Sequence, residues 1–270
     1  MKFAYPPPSD GKPFRLTLGL RELAPENWLE FGPDSTEQIR QRNQLIDEKR
    51  EVVYQVLDGS EDGVDFFVEK LTSNLQQFHP ERISSSDSKN TSDPLLQIGR
   101  LICEDLCVLK KIDGQWILVA GLVIFPSRWD LREKIGLTLD AIHGPVPSYS
   151  DSLQPLMSES FDRLKPDRPV WRRNWSLHAT PKLHEPKFLG EKAPVENFWW
   201  RTERQTLTKS ADEKYVLFTI RNRVEPLGLI KEDPQAAKAF AQTLETLGPE
   251  MLAYKRIVDE REALLTFLRT

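Results

Sequence analysis

Four histidines stand at positions 79, 143, 178 and 184, and two of them occupy places where chemistry would need one. His79 precedes Pro80 at a helix end beside a polar stretch, and His184 lies in a charged, proline-punctuated loop; both read as surface residues. His143 follows the apolar pair Leu139 and Ile142 and precedes Gly144-Pro145-Val146-Pro147, a run that cannot continue a helix. A histidine held at a helix end by a stiff loop beside a sheet is placed to reach a metal or cofactor. Taken alone, a hydrogen-bonded structural histidine is the plainer reading. His178 closes WRRNWSLH, in which Trp171, Arg173, Trp175 and Leu177 alternate with Arg172, Asn174, Ser176 and His178. Such alternation marks a strand with two unlike faces. One face then holds Arg172, Asn174 and His178, a set that suits a carboxylate or another anion. The simpler alternative is a polar face turned to water.

A second alternating segment, WWRTERQTL, places Arg201, Glu203 and Gln205 on one face and Thr202, Arg204 and Thr206 on the other. A strand-borne Glu203 would pair a substrate cation, serve as an acid or base, or form cross-strand ion pairs; the last is the default. Arg221 and Arg223 share a face of LFTIRNRVEPL. No G-x-S-x-G elbow, P-loop, dinucleotide-binding glycine series or H-E-x-x-H is present.

The elements that must carry these residues are read as follows. The first 35 residues are rich in proline and form an arm that packs Trp28 and Phe31 onto the body, residues 36–270. A helix starts near Asp34 with a capping-box pattern of Asp34 and Glu37 and runs on through VVYQVL. Another, VDFFVEKLTSNLQQF, ends at His79-Pro80, and the polar run over residues 84–93 reads as a mobile loop. Residues 106–112 and 115–125 form a hairpin across Asp113-Gly114, its second strand buried on both faces in mid-sheet. Helices over 130–141 and 149–163 precede an extended stretch to Leu177; a strand pair over 199–208 and 214–223 follows. Helices from Pro234 to Leu247 and from Pro249 to Leu268 end the chain. This order is not a strict βαβα alternation, so the predicted class is α+β, an antiparallel sheet with helices packed on it.

Composition narrows the function classes. Apolar residues make up 39% and charged residues 29% of the 270, a soluble globular profile. The longest apolar run, Trp116 to Phe125, falls well short of the roughly 20 residues a bilayer span requires. The N-terminus has no apolar stretch behind Lys2, so no signal peptide is read and a cytoplasmic location is expected. A net charge of −4 gives no global field for nucleic acid. Cys103 and Cys107 form no closed metal set, and on an amphipathic helix they would share a face as buried free thiols.

Five segments in order, EDLCVLKK, VAGLVIFPSRWDLREKIGLTLDAIHGPVPSY, RPVWRRNWSLH, RTERQTL and VLFTIRNRVEPL, resemble the heme-dependent oxidative N-demethylase family. The resemblance runs from about Asp93 to Leu268. It implies a PAS-like fold holding heme b, with His143 as the axial ligand and His178 as the fallback. It further implies oxidation of a small, dimethylamine-like N-methylated amine by O2, giving formaldehyde and the demethylated amine. Electrons would come from flavin and iron–sulfur partner subunits. Within that frame Arg172, Arg173 or Arg221 would clamp the anionic propionates. Glu203 would meet a protonated amine, with Arg204 or Arg201 holding its charge in check, and an Arg such as Arg172 would stabilise developing negative charge. Trp129, Trp171 and Trp175 would pack the porphyrin faces. The chain departs from the family pattern after RTERQTL, where TKSADEK replaces a further Arg and a Leu-Pro pair. Two other readings stand beside this one: a heme-binding PAS-type sensor or carrier without turnover, and a structural protein that kept the fold and lost the cofactor.

Overall fold

The structure, a computed structural model, describes residues 3–8, 18–84, 92–144 and 154–270. Its strands are Arg21–Glu22 (β1), Tyr54–Val56 (β2), Glu104–Ile112 (β3), Gln115–Leu122 (β4), Val170–His178 (β5), Trp199–Lys209 (β6) and Tyr215–Pro226 (β7). They form one antiparallel open sheet in the order β1-β5-β6-β7-β3-β4-β2. Its helices run Ser35–Glu48 (α1), Arg50–Val53 (α2), Glu61–Phe78 (α3), Pro80–Ser84 (α4) and Pro94–Gly99 (α5) ahead of β3. The crossover from β4 to β5 carries Leu131–Lys134 (α6), Leu139–His143 (α7) and Gln154–Arg163 (α8). Pro234–Glu245 (α9), Pro249–Tyr254 (α10) and Arg261–Arg269 (α11) follow β7. The mixed α+β class is as the sequence implies.

Alternation along the strands makes two different faces. One packs Leu106, Val108 and Leu217 against α1, α3 and α5, and Leu177 and Trp200 against α9 and α11. The other packs Cys107, Leu109, Leu207 and Phe218 beneath α6, α7 and α8. The β3–β4 hairpin turns through Asp113 (φ 49) and Gly114 (φ 80), both in the left-handed region that a two-residue hairpin connection requires. A Cβ on Gly63 would stand 2.3 Å from the Tyr215 ring, so glycine there lets α3 lie directly on the sheet.

Several boundaries differ from the sequence reading, each for a local reason. The long N-terminal helix stops at Lys49, and Tyr54–Val56 leaves it to pair with β4 as an edge strand. β4 is accordingly the last long strand and not central, although covered on both faces. The Asp34 carboxylate does not cap α1; it accepts instead from Arg221 and Arg223, a stronger charged pairing. The helix expected over 130–141 breaks at Gly136 (φ 78), whose backbone pairs with Leu118, and restarts where Thr138 Oγ1 caps Ala141. The last helix breaks at Arg256 (φ 56), between α10 and α11. Cys103 and Cys107 are buried and free, but Cys107 lies in β3 and Cys103 just before it, not on a helix. His184 is half-buried, its Nδ1 donating to the Ile124 carbonyl at 2.7 Å, and His79 caps α3 against the Phe31 ring. The expected loop over 84–93 and the proline bend after Gly144 fall almost wholly outside the described residues.

Candidate functional site

Register across β5, β6 and β7 assembles a polar stripe on the face beneath the crossover helices. Arg172 lies opposite Gln205, Asn174 opposite Glu203, and Ser176 opposite Arg201, with Asn222 of β7 beyond Glu203. The stripe starts beside the apolar cluster formed with Leu139 of α7 and Phe161 of α8, and it ends at His178. β1 pairs with Val170 and Trp171, and from Arg172 onward the outer edge of β5 has no strand partner among the described residues. Lys255, just after α10, occupies that edge: its Nζ donates to the Trp175 carbonyl at 2.8 Å and stands 3.8 Å from the Trp175 ring centroid.

The stripe is strongly polarised. Glu203 Oε2 accepts from Gln205 Nε2 at 2.8 Å and from Asn174 Nδ2 at 3.4 Å. The Arg172 Nε is buried and has no hydrogen-bond partner among the described residues. Burial pulls the Arg172 guanidinium below its ordinary value, opposed by Glu203 and Tyr254. Burial likewise pushes the Lys255 ammonium down to about 7, opposed by Glu203 and assisted by Arg172. It raises the Tyr254 phenol, which Glu203 raises further. Arg201, fully buried, donates to the carbonyls of Phe125 and Leu183 and to Asn222 Oδ1.

His143 ends α7 and is half-buried, its Nδ1 donating to the Leu139 carbonyl at 2.9 Å. A carbonyl can only accept, so the proton of the neutral ring is on Nδ1 and Nε2 carries the lone pair. Burial lowers the affinity of this ring for a second proton, and Arg172 lowers it further, which places Arg172 within electrostatic reach of His143. His178 is engaged differently. Its Nδ1 donates to Glu185 Oε2 at 2.6 Å, and its Nε2 lies 2.8 Å from Ser176 Oγ, so both nitrogens have protein partners. Burial holds the His178 ring below its usual value; Glu185, itself raised by burial, is brought below the usual range by His178 and Arg128 together.

The structure thus brings His143, Arg172 and Glu203 into one electrostatic neighbourhood. It does not place Arg204, Arg221 or Arg173 there. These three point to the opposite face, because neighbouring residues on a strand alternate. Arg204 pairs with Glu30 at 3.1 Å and bonds the Trp28 carbonyl; Arg221 pairs with Asp34 at 2.9 Å; Arg173 is exposed, over the Tyr5 ring. Trp175 stacks on Trp200 with centroids 5.2 Å apart and meets Phe240 edge-on, while Trp129 packs with the cluster beneath α6 and α7. Trp171 lies under Arg204. The variant stretch TKSADEK forms the β6–β7 turn, where Lys209 bonds Asp162 and Glu213. Sequence reasoning missed Lys255 and Tyr254, since one continuous helix was expected through both and no glycine or proline marks the break.

Over residues 19–265 the chain matches the family described as haem-dependent oxidative N-demethylase, alpha subunit-like. The chain belongs to this family. The match begins ahead of β1 and takes in about half of the segment read from sequence as an arm. Members of the haem-dependent oxidative N-demethylase family depend on heme, and the alpha-subunit description belongs to a multi-subunit enzyme. The residues present fit such a cofactor: an imidazole with Nδ1 satisfied by a carbonyl, and within its electrostatic reach a half-buried arginine whose buried Nε lacks a partner among the described residues. Among the described residues no helix is long and apolar enough to cross a membrane.

Proposed function

We propose that this chain is the heme-binding subunit of an oxidative N-demethylase acting on a small N-methylated amine of the dimethylamine kind. The observation that carries the reading is Arg172 and Glu203 on the sheet face beneath the crossover helices, with His143 at the end of α7 within electrostatic reach of Arg172, in a chain of this family. His143 would hold the iron of a heme b through Nε2, and the hairpin, helical crossover and three-strand meander would form the PAS-like frame around that cofactor. When bound, the heme supplies activation of O2 and oxidation of the methyl carbon. Flavin and iron–sulfur partner subunits supply two electrons, so that amine, O2 and two protons give formaldehyde, demethylated amine and water.

The protein groups have separable tasks. Arg172, buried with an unmatched donor, meets an anion: a propionate, or negative charge developing on oxygen. Glu203, held by Asn174 and Gln205, receives the alkylammonium. Because burial pushes Lys255 down to about 7, its amine is partly neutral at working pH and competes less for that carboxylate. Arg204, Arg221 and Arg173 serve from the far face, by holding the sheet together and not by touching substrate.

The test has two stages. Protein loaded with heme is expected to show a Soret band, and His143→Ala to lose its native ligand-field spectrum; an unchanged spectrum would move the ligand elsewhere. With a reductase and dimethylamine, formaldehyde above the heme-free control is expected. A Soret band without formaldehyde would favour the heme-binding sensor, and no Soret band would end both readings.

A further inference from the structure

Two lysines are buried among the described residues, and they are held in different ways. Lys209 is 3% exposed, and its Nζ pairs with Glu213 at 2.9 Å, as burial of an ammonium ordinarily requires. Lys255 is 6% exposed and has no carboxylate within ion-pair distance among the described residues. Among the described residues its Nζ meets the Trp175 carbonyl, at 2.8 Å, and the face of the Trp175 indole. The nearest influences of charge are Glu203, which favours the ammonium, and Arg172, which opposes it. A buried amine without a counter-ion sheds its proton more readily, and an unprotonated lysine is a nucleophile toward carbonyl carbon.

We infer that the Lys255 ε-amine is a carbonyl-reactive group that takes a small aldehyde reversibly as an imine. The inference deepens the demethylase reading by naming a place for its aldehyde product, on the edge of the strand that carries Arg172 and Asn174. The step balances without an oxidant. The Nζ lone pair forms the C–N bond while the C=O π pair moves to oxygen, which takes the proton released by nitrogen. The hydroxyl of this carbinolamine then leaves as water on receiving a proton, and the nitrogen lone pair forms the C=N bond. Tyr254, whose phenol burial raises, keeps its proton at working pH and stands next in the chain. Water reverses both steps and frees the aldehyde. The indole face that now lies 3.8 Å from Nζ suits the protonated imine equally well, since that product is also a cation. Size selection follows from burial: with Lys255 only 6% exposed and its Nζ against an indole and a strand edge, the smallest aldehyde meets the least obstruction. Burial that pushes Lys255 down to about 7 leaves about half of it unprotonated at neutral pH, against well under 1% of an ordinary lysine.

The experiment uses the full chain without added heme, so its failure and that of the demethylase reading are distinguishable. Isotopically labelled formaldehyde in limiting amount is added at pH 7 with cyanoborohydride, and each lysine peptide is followed by mass spectrometry. Lys255 is expected to be methylated at least about tenfold faster than the exposed Lys192 and Lys238. That advantage is expected to vanish near pH 10, where ordinary lysines also lose their protons. Glu203→Gln, which removes the group favouring the ammonium, is expected to raise the Lys255 rate at pH 7. Benzaldehyde in place of formaldehyde is expected to spare Lys255. An unlabelled Lys255, or one labelled no faster than Lys192 at pH 7, overturns the inference; equal labelling by benzaldehyde overturns the small-aldehyde assignment.

Discussion

The two faces of β5, β6 and β7 carry the same kinds of side chain under opposite electrostatic terms. On the face covered by the N-terminal segment, Arg204, Arg221 and Arg223 meet Glu30, Asp34 and Glu104, and little charge is left over. On the face beneath the crossover helices Arg172 lacks a partner at Nε and Glu203 is held by the amides of Asn174 and Gln205, and at the edge of β5 Lys255 makes no ion pair among the described residues. Paired charge closes one side and tolerates burial; unmatched charge on the other keeps the capacity to receive something. Arginine alone therefore does not mark a site. What sets Arg172 apart is that it makes no ion pair among the described residues, whereas Arg204, Arg221 and Arg223 each pair with a carboxylate.

The most severe break in the comparison should come from the closed face. Arg221→Met leaves the buried Glu104 without its main cation and Asp34 with Arg223 alone, and a loss of about 3–5 kcal/mol in denaturant unfolding is expected. A loss below about 1 kcal/mol would mean that this network is not what closes the face.

The open face should behave in the opposite sense. Lys255 binds its proton less tightly when folded, at about 7, than when unfolded, at about 10.5. Between those values the unfolded chain holds more protons, so stability rises as pH climbs from about 7 toward 10.5. Lys255→Met should flatten that rise and gain more than about 1 kcal/mol at pH 7, read from unfolding midpoints across pH. An unchanged slope would show that the amine is not buried against its charge.

At the end of the stripe, His178 is neutral in the fold, while the unfolded chain protonates near 6.5. Stability should then be full above about pH 6.5 and fall as pH drops below it. His178→Gln is expected to remove about 1 kcal/mol of that acid dependence, since Glu185 then loses its imidazole partner. The smallest effect on stability belongs to Arg172→Met, within about 1 kcal/mol of the parent, because no ion pair is broken. The same variant should weaken heme binding in a titration followed at the Soret band. Unaltered binding would assign the unmatched Nε to another task.

Much of this is legible in the order of residues alone. The alternation in WRRNWSLH and RTERQTL correctly separates Arg172, Asn174 and Glu203 from Arg173 and Arg204, and Asp113-Gly114 locates the hairpin. Period-2 geometry is a property of the strand itself and needs no partner. Assigning Arg204 and Arg221 to the pocket fails to follow that rule through: a residue one position away from Glu203 points to the other side of the sheet. The breaks at Gly136 and Arg256 are not legible from helical pattern: the first is held by the distant bond from Gly136 N to Leu118 O, and the second by the local turn in which Ile257 N bonds Leu252 O.

By itself the sequence determined the mixed class, the hairpin, the facing of each strand residue and the motifs that place the chain in its family, because all are written in local order and spacing. Only the tertiary structure decided which face would be neutralised and which left open. That choice depends on Glu30 and Asp34 reaching arginines nearly two hundred positions away, and on Lys255 arriving at the edge of Trp175 from 80 positions along the chain. Charges so far apart in sequence become partners only when a sheet brings them within hydrogen-bond distance, and no periodicity records that meeting.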